Sequence, residues 1–114
     1  MNDLTTDTLH AALRGLAARQ RVIADNVANI ETPGFLAGKV EFEASLRDAL
    51  GTGDAASVRP ASLRSLAPTG VNGNNVNLDE ETLANIDTNM RYQLAIEAMN
   101  AKFGLLRTSI GGGR

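Results

Sequence analysis

The sequence holds no cysteine and no tryptophan, and has one histidine, one tyrosine, three phenylalanines and three prolines. Without cysteine there is no disulfide framework, no thiol nucleophile and no thiolate metal site. The single histidine, His10, cannot build a histidine metal site or a catalytic pair, and reads as a helix-surface residue. Aromatics make up 4% of the 114 residues, and they are the side chains that fill a core with least chain. A surplus of one charge is missing as well, the net charge being −2. Over residues 1–30, Arg14, Arg19 and Arg21 are balanced by Asp3, Asp7 and Asp25. Phosphate binding needs uncompensated cations on one face, so nucleic acid is not expected as a partner. No apolar run approaches the length of a membrane span. The start, "MNDLTTDTLHAALRG", has neither the basic opening nor the apolar stretch of a secretory signal, so any export is expected to proceed without a cleaved peptide.

What is present is helical periodicity. Leu9, Leu13, Leu16, Gln20, Ile23, Val27 and Ile30 follow at alternating spacings of four and three, a heptad seam with one polar interruption. Thr5, Thr6 and Asp7 offer cap oxygens ahead of it. The spacing predicts an N-terminal helix within residues 1–30, roughly 33 Å long. A second helix is expected over 77–110. Asn77 can cap it with Glu80 three residues on, and Asp79, Glu80 and Glu81 suit the positive end of the helix dipole. Two apolar stripes share this helix. One is Tyr92, Ile96, Met99, Phe103, Leu106 and Ile110. The other is Leu83, Ile86, Met90, Leu94, Ala98, Ala101 and Leu105. A helix apolar on two sides needs two neighbours. One short chain is not expected to supply enough of them, so the isolated subunit should be disordered at its ends and complete its fold on assembly. Residues 111–114 read as a flexible tail.

Residues 31–76 read as turn, brief extended run and loop. Val40 and Phe42 alternate with Glu41 and Glu43, the extended run, and "FEASLRDAL" closes it with a turn or two of helix. Residues 51–75 are small, polar and rich in Gly and Pro, hence loop or disorder. No catalytic constellation emerges. The serines have no base at a suggestive spacing, and Glu41, Glu43 and Asp48 are better read as a solvated face than as general acid–base groups. "NGNNVNLDEE" imitates a calcium loop but places Val76 at a ligand position and lacks the central glycine. No cofactor, no metal and no small-molecule substrate is implied, and no enzyme.

"IETPGF" has a local mechanism. Pro33 pushes Thr32 out of the helical region and ends the helix. Pro33 and Gly34 then suit the centre of a type II turn, Gly34 supplying the positive φ. Asn26 and Asn29 lie where the last helical carbonyls are free, within reach of a side-chain amide. A helix stop does not by itself explain two asparagines there.

These residues carry a resemblance. "ADNVANIETPGF" resembles the signature near the N-terminus of bacterial flagellar rod and hook proteins: Ala-Asn-Asn-Ile-Ala-Asn, a few residues, then Thr-Pro-Gly-Tyr. Ala24, Asn26, Ala28, Asn29, Thr32, Pro33 and Gly34 match; Asp25, Val27, Phe35 and Leu36 depart. "GNNVNLDEE" followed by "MRYQLAIEAMNAKFGLLRTSI" resembles the proximal rod (FlgB) family, with Asn77 where an aspartate is usual. The resemblance implies a structural subunit of the flagellar basal-body rod, exported unfolded by the flagellar type III apparatus and assembled in the periplasm. Its partners would be other rod subunits, copies of itself, and membrane-ring and export-gate components at the rod base. The fold implied is all-α: a coiled-coil-like hairpin of the two terminal helices, joined by the turn and a long irregular loop, all one rod-subunit domain over 1–114. The seam and the Tyr92 stripe are the expected assembly interface. Phe42 and Leu46 resemble the short hydrophobic motif by which early flagellar substrates dock at the export gate, but a packing pair on one short helix, the commoner arrangement, is the favoured reading. Two other classes fit the amphipathic helices: a helical adaptor folding with one partner, and a peripheral membrane-surface protein. Against the latter, Asp25 accompanies the arginines and no aromatic anchors the first helix.

Overall fold

The computed structural model describes residues 3–112. The element order is α1 (Leu4–Ala28), β1 (Gly38–Glu41), α2 (Glu43–Thr52), a 3-10 turn (Ala55–Ser57), β2 (Ala61–Arg64) and α3 (Leu78–Gly112). The protein is mostly helical, with one small sheet. Its extents are 68 × 26 × 14 Å. The least of these is hardly more than a single helix with its side chains, about 10–12 Å, so few residues can be enclosed.

α1 is capped by Asp3, whose carboxylate accepts from the Thr6 N–H at 2.7 Å; the cap lies ahead of the Thr5–Asp7 group expected from sequence. α1 and α3 run antiparallel. Three polar pairs mark the alignment: Asp3 with Lys102 at 2.9 Å, Gln20 with Asn89 at 2.8 Å, and Asn26 with Glu81 at 3.0 Å. Between them Leu16, Ile23, Ala95 and Met99 are buried. The hydroxyls of Thr6 and Thr88 are buried beside them without a hydrogen-bond partner. α3 starts as its sequence indicates, Asn77 Oδ1 accepting from the Glu80 N–H at 3.2 Å. It continues to Gly112, two residues past the expected end; Gly113 and Arg114, the rest of the expected tail, lie outside the described residues.

The central region is more ordered than its composition indicates. β1 and β2 pair antiparallel, Gly38 opposite Arg64 and Glu41 opposite Ala61. The second strand and the 3-10 turn occupy the stretch 51–75 read as loop, which corrects that reading, while α2 is the short helix expected of "FEASLRDAL" and the fold stays close to all-α. β1, α2 and the 3-10 turn cover a second side of α1, adjoining α3 where Phe42 and Val40 share one core cluster with Leu16 and Ala95. Phe42 is buried there with Val40, against Leu16. Its ring rests on Gly15, where an added Cβ would collide with it. That side of α1 is lined by Ala11, Gly15, Ala18 and Val22, residues too small to stand out in a hydrophobic pattern. α1 therefore finds neighbours on two sides within its own chain, contrary to expectation. α3 by contrast leaves Leu83, Ile86, Met90, Leu94 and Leu105 exposed.

Candidate assembly interface

The turn after α1 is built by asparagines from both ends of the chain. α1 ends at Ala28 with Asn29 as its C-cap, and the Asn29 amide donates back to Asp25 O at 2.9 Å. Phe35 N–H donates to Thr32 O at 3.2 Å and Gly34 has φ +74°, so Thr32-Pro33-Gly34-Phe35 has the geometry a type II turn requires. Asn74, distant in sequence, sends its amide to Asn29 O and Thr32 O, both at 2.9 Å. It thus adds a second donor to two carbonyls of the turn that already accept from Thr32 N–H and Phe35 N–H. Gly34 N–H donates to Asn72 O and Asn75 N–H to Phe35 O, so the two segments lie edge to edge. The Asn75 side chain accepts from Ala37 N–H at 2.7 Å and donates to Ser65 O and Ala67 O at 3.1 Å.

Asn26 does something other than bond its own helix end. It is 1% exposed and reaches across to Gly38, accepting from its N–H at 2.8 Å and donating to its C=O at 2.9 Å. A side-chain amide here takes the place of a neighbouring strand, and Gly38 is close enough only because it lacks a Cβ, which would sit 2.8 Å from Val22. The same amide donates to Glu81 of α3. Asn26 therefore joins α1, β1 and α3 at one point.

Arg19 holds the hairpin from the other end. Its guanidinium grips both Glu43 oxygens at 2.7 Å, donates to Val40 O, and lies 5.0 Å from the Phe42 ring centroid. Hydrogen bonding to Arg19 holds the Glu43 carboxyl below its usual range and raises Arg19 in turn. Asp3 is lowered to about 2, chiefly by the Thr6 backbone N–H and next by Lys102.

The residues expected at an assembly interface divide. Leu16, Ile23 and Met99 are buried inside the chain; Leu9, Leu13, Ile30, Tyr92 and Leu106 are half-buried. Val27, Ile96, Phe103 and Ile110 remain exposed. The second stripe of α3 is bare: Leu83 is 68% exposed, Leu94 60% and Leu105 70%. A groove of about 500 Å³ runs between Ala24 and Val27 of α1 and Leu78, Thr82 and Asn85 of α3. Phe42 and Leu46 both pack on the core, and Leu46 N–H donates to Phe42 O at 2.8 Å. Among the described residues no three His, Cys, Asp or Glu side chains gather where a metal could sit. Sequence reasoning missed Asn74, Asn75, Arg19 and Glu81. Adjacent asparagines inside a Gly-rich segment were the available signal, since side chains that can mimic backbone groups are what an irregular segment needs to be ordered.

With this geometry in view, comparison with known proteins is specific. Residues 7–35, which are α1 from its first turn through the type II turn, match the family model described as flagella basal body rod protein. The chain is 36% identical over 124 residues to flagellar basal body rod protein FlgB of Bacillus subtilis, covering 96% of this chain and 95% of the relative. To FlgB of Borreliella burgdorferi it is 33% identical over 118 residues, covering 82% and 87%. To FlgB of Escherichia coli it is 30% identical over 124 residues, covering 84% and 90%. Alignments of that extent take in both helices and the stitched turn together, and so the chain belongs to the FlgB family of flagellar basal-body rod proteins.

Proposed function

We infer that the bare side of α3 is where this chain builds the rod. The chain is a structural subunit of the flagellar basal-body rod, not an enzyme, and its place is the flagellar basal body. The observation that carries the assembly reading is the row Leu83, Ile86, Met90, Leu94 and Leu105, exposed along one helix while the opposite side packs on α1. Apolar rows of that length on a soluble chain mark contact surfaces. A neighbouring rod subunit, a copy or a relative, covers the row and enters the groove beside Val27, and the terminal helices then pack as coiled coil around the axis of the rod. The contact is heterologous, one patch on a different patch, so that a tube can grow.

Replacing Leu83, Ile86 and Leu94 together by Gln tests this. Helix content and urea midpoint of the purified chain should stay close to wild type, while the subunit disappears from isolated basal bodies. Normal incorporation would overturn the reading.

In the same proposal the whole chain is one rod-subunit domain, exported unfolded by the flagellar type III apparatus without a cleaved signal. It meets membrane-ring and export-gate components at the rod base. The packing of Phe42 and Leu46 against Gly15 and Leu16 supports their structural role over gate docking. In a strain that cannot assemble rods, Phe42→Ala should leave secretion unchanged; lowered secretion would assign the pair to the gate.

A further inference from the structure

The small sheet has one open side, and its register identifies which peptide groups are free. In an antiparallel pair, opposed residues alternate between those that exchange hydrogen bonds and those whose peptide groups point away from each other. Both peptide groups of Gly38 are bonded to Asn26, and Val40 O accepts from Arg19, so these groups of β1 face α1. Their opposites in β2 are Arg64 and Ser62. The N–H and C=O of Ser62 and Arg64 therefore point outward, away from β1. Ser65 N–H donating to Ala37 O fits the same alternation. These outward groups have no hydrogen-bond partner among the described residues, and every residue of β2 is exposed.

The edge is also basic. Arg59 and Arg64 flank it, and Lys39 lies opposite Leu63. Arg59 donates only to the carbonyls of Ala56 and Val58. Arg64 turns back to Leu36 O and lies 5.3 Å from the Phe35 ring centroid, contacts it would exchange for an incoming carboxylate. None of the three cations forms an ion pair with a described residue. The uncommitted acid of the sheet, Glu41, is on the inner strand, opposite Ala61. Bare strand edges invite another strand, and charge is the usual means of choosing which one. A second copy laid along this edge would bring the same arginines against each other, so the occupant is a different chain.

We propose that the outer edge of β2 takes up an extended, acidic segment of another protein as a third strand. The strand bonds to the peptide groups of Ser62 and Arg64 and sets its carboxylates beside Arg59 and Arg64. This surface is separate from the α3 row, and the two stand or fall independently.

Amide hydrogen exchange of the full-length chain, read residue by residue by nuclear magnetic resonance, tests it. The probe is a capped hexapeptide alternating glutamate with valine, and its control carries lysine for glutamate. With the glutamate peptide the Ser62 and Arg64 amides should exchange about tenfold more slowly, as a strand's worth of new hydrogen bonds requires. The Leu63 amide, already bonded to β1, should hardly change. Ser62→Pro removes an outward N–H and no bond of the ladder, so it should abolish the slowing at Arg64 while Leu63 stays protected. Arg64→Glu should shift the preference to the lysine peptide, and it keeps the test decisive should the proline variant lose the sheet. The proposal is overturned by unchanged exchange at Ser62 and Arg64, or by equal slowing with both peptides. Concentration-dependent protection without peptide would overturn it too, since that would make the occupant a second copy.

Discussion

α1 and α3 are both long helices with leucines and isoleucines at helical spacing, yet one is covered on two sides and the other on one. α1 presents small residues to the hairpin and large ones to α3, so both of its sides are covered within the chain. α3 meets α1 through Ala95 and Met99 and leaves Leu83, Ile86, Met90 and Leu94 in solvent. The polar pairs that tie the two helices lie along one side of α3 only. The contrast teaches that apolar periodicity marks a surface to be covered, without saying whether the cover is in the same molecule. In the proposed assembly the two helices would divide the work, α1 organising the monomer and α3 facing the neighbours.

Substitutions that strike one helix's surroundings and spare the other's should separate these roles. Phe42→Ala empties the side of α1 that holds the hairpin and should destabilise the chain by about 3–5 kcal/mol. Leu94→Ala on the bare side of α3 should lie within about 0.5 kcal/mol of wild type. Urea unfolding followed by helical circular dichroism measures both, and similar losses would mean that α3 is covered in the isolated chain. Asn26→Ala comes next. It strands the N–H and C=O of Gly38 in a buried place and frees Glu81, so a loss of about 2–4 kcal/mol is expected; faster amide exchange at Gly38 would be its local sign.

Gly34→Val tests the turn that directs the chain out of α1. Nothing lies within 4 Å of a Cβ there, so the expected loss of about 1–3 kcal/mol comes from the positive φ alone. Phe35→Tyr, at the half-buried neighbour, should be close to neutral, and motility of strains carrying each variant should rank them in that order. The smallest effect concerns pH. Asp3 titrates lower in the fold, about 2, than its ordinary value of 3.8. Its contribution is therefore complete above about pH 4 and is lost as pH falls through 2. Glu43, lowered by Arg19, acts in the same direction. Protection of the Thr6 amide relative to its intrinsic exchange rate should fall across that window, and Asp3→Asn should flatten the dependence.

Both helices, their polarity and the place where α1 gives way to a turn are legible in the residues themselves. Periodicity, capping chemistry and the restricted backbone of Pro33 are local, and local physics is written in consecutive residues. Apolar spacing showed that α3 has two sides needing cover, and the matched motifs at both ends indicated the family. Which side is covered by what was settled only by the tertiary structure. Phe42 reaches Gly15 and Asn74 reaches the end of α1 across separations that no window of sequence contains, and Asn26 reaches Gly38 only because the turn folds β1 back beside α1. The ordering of residues 51–75 was hidden for the same reason. Of their few apolar side chains only Ala55 and Val58 are buried, so hydrogen bonds from Arg14 and Asn75 and pairing with β1 hold the segment as well. Those bonds exist only once the distant partners have been brought together.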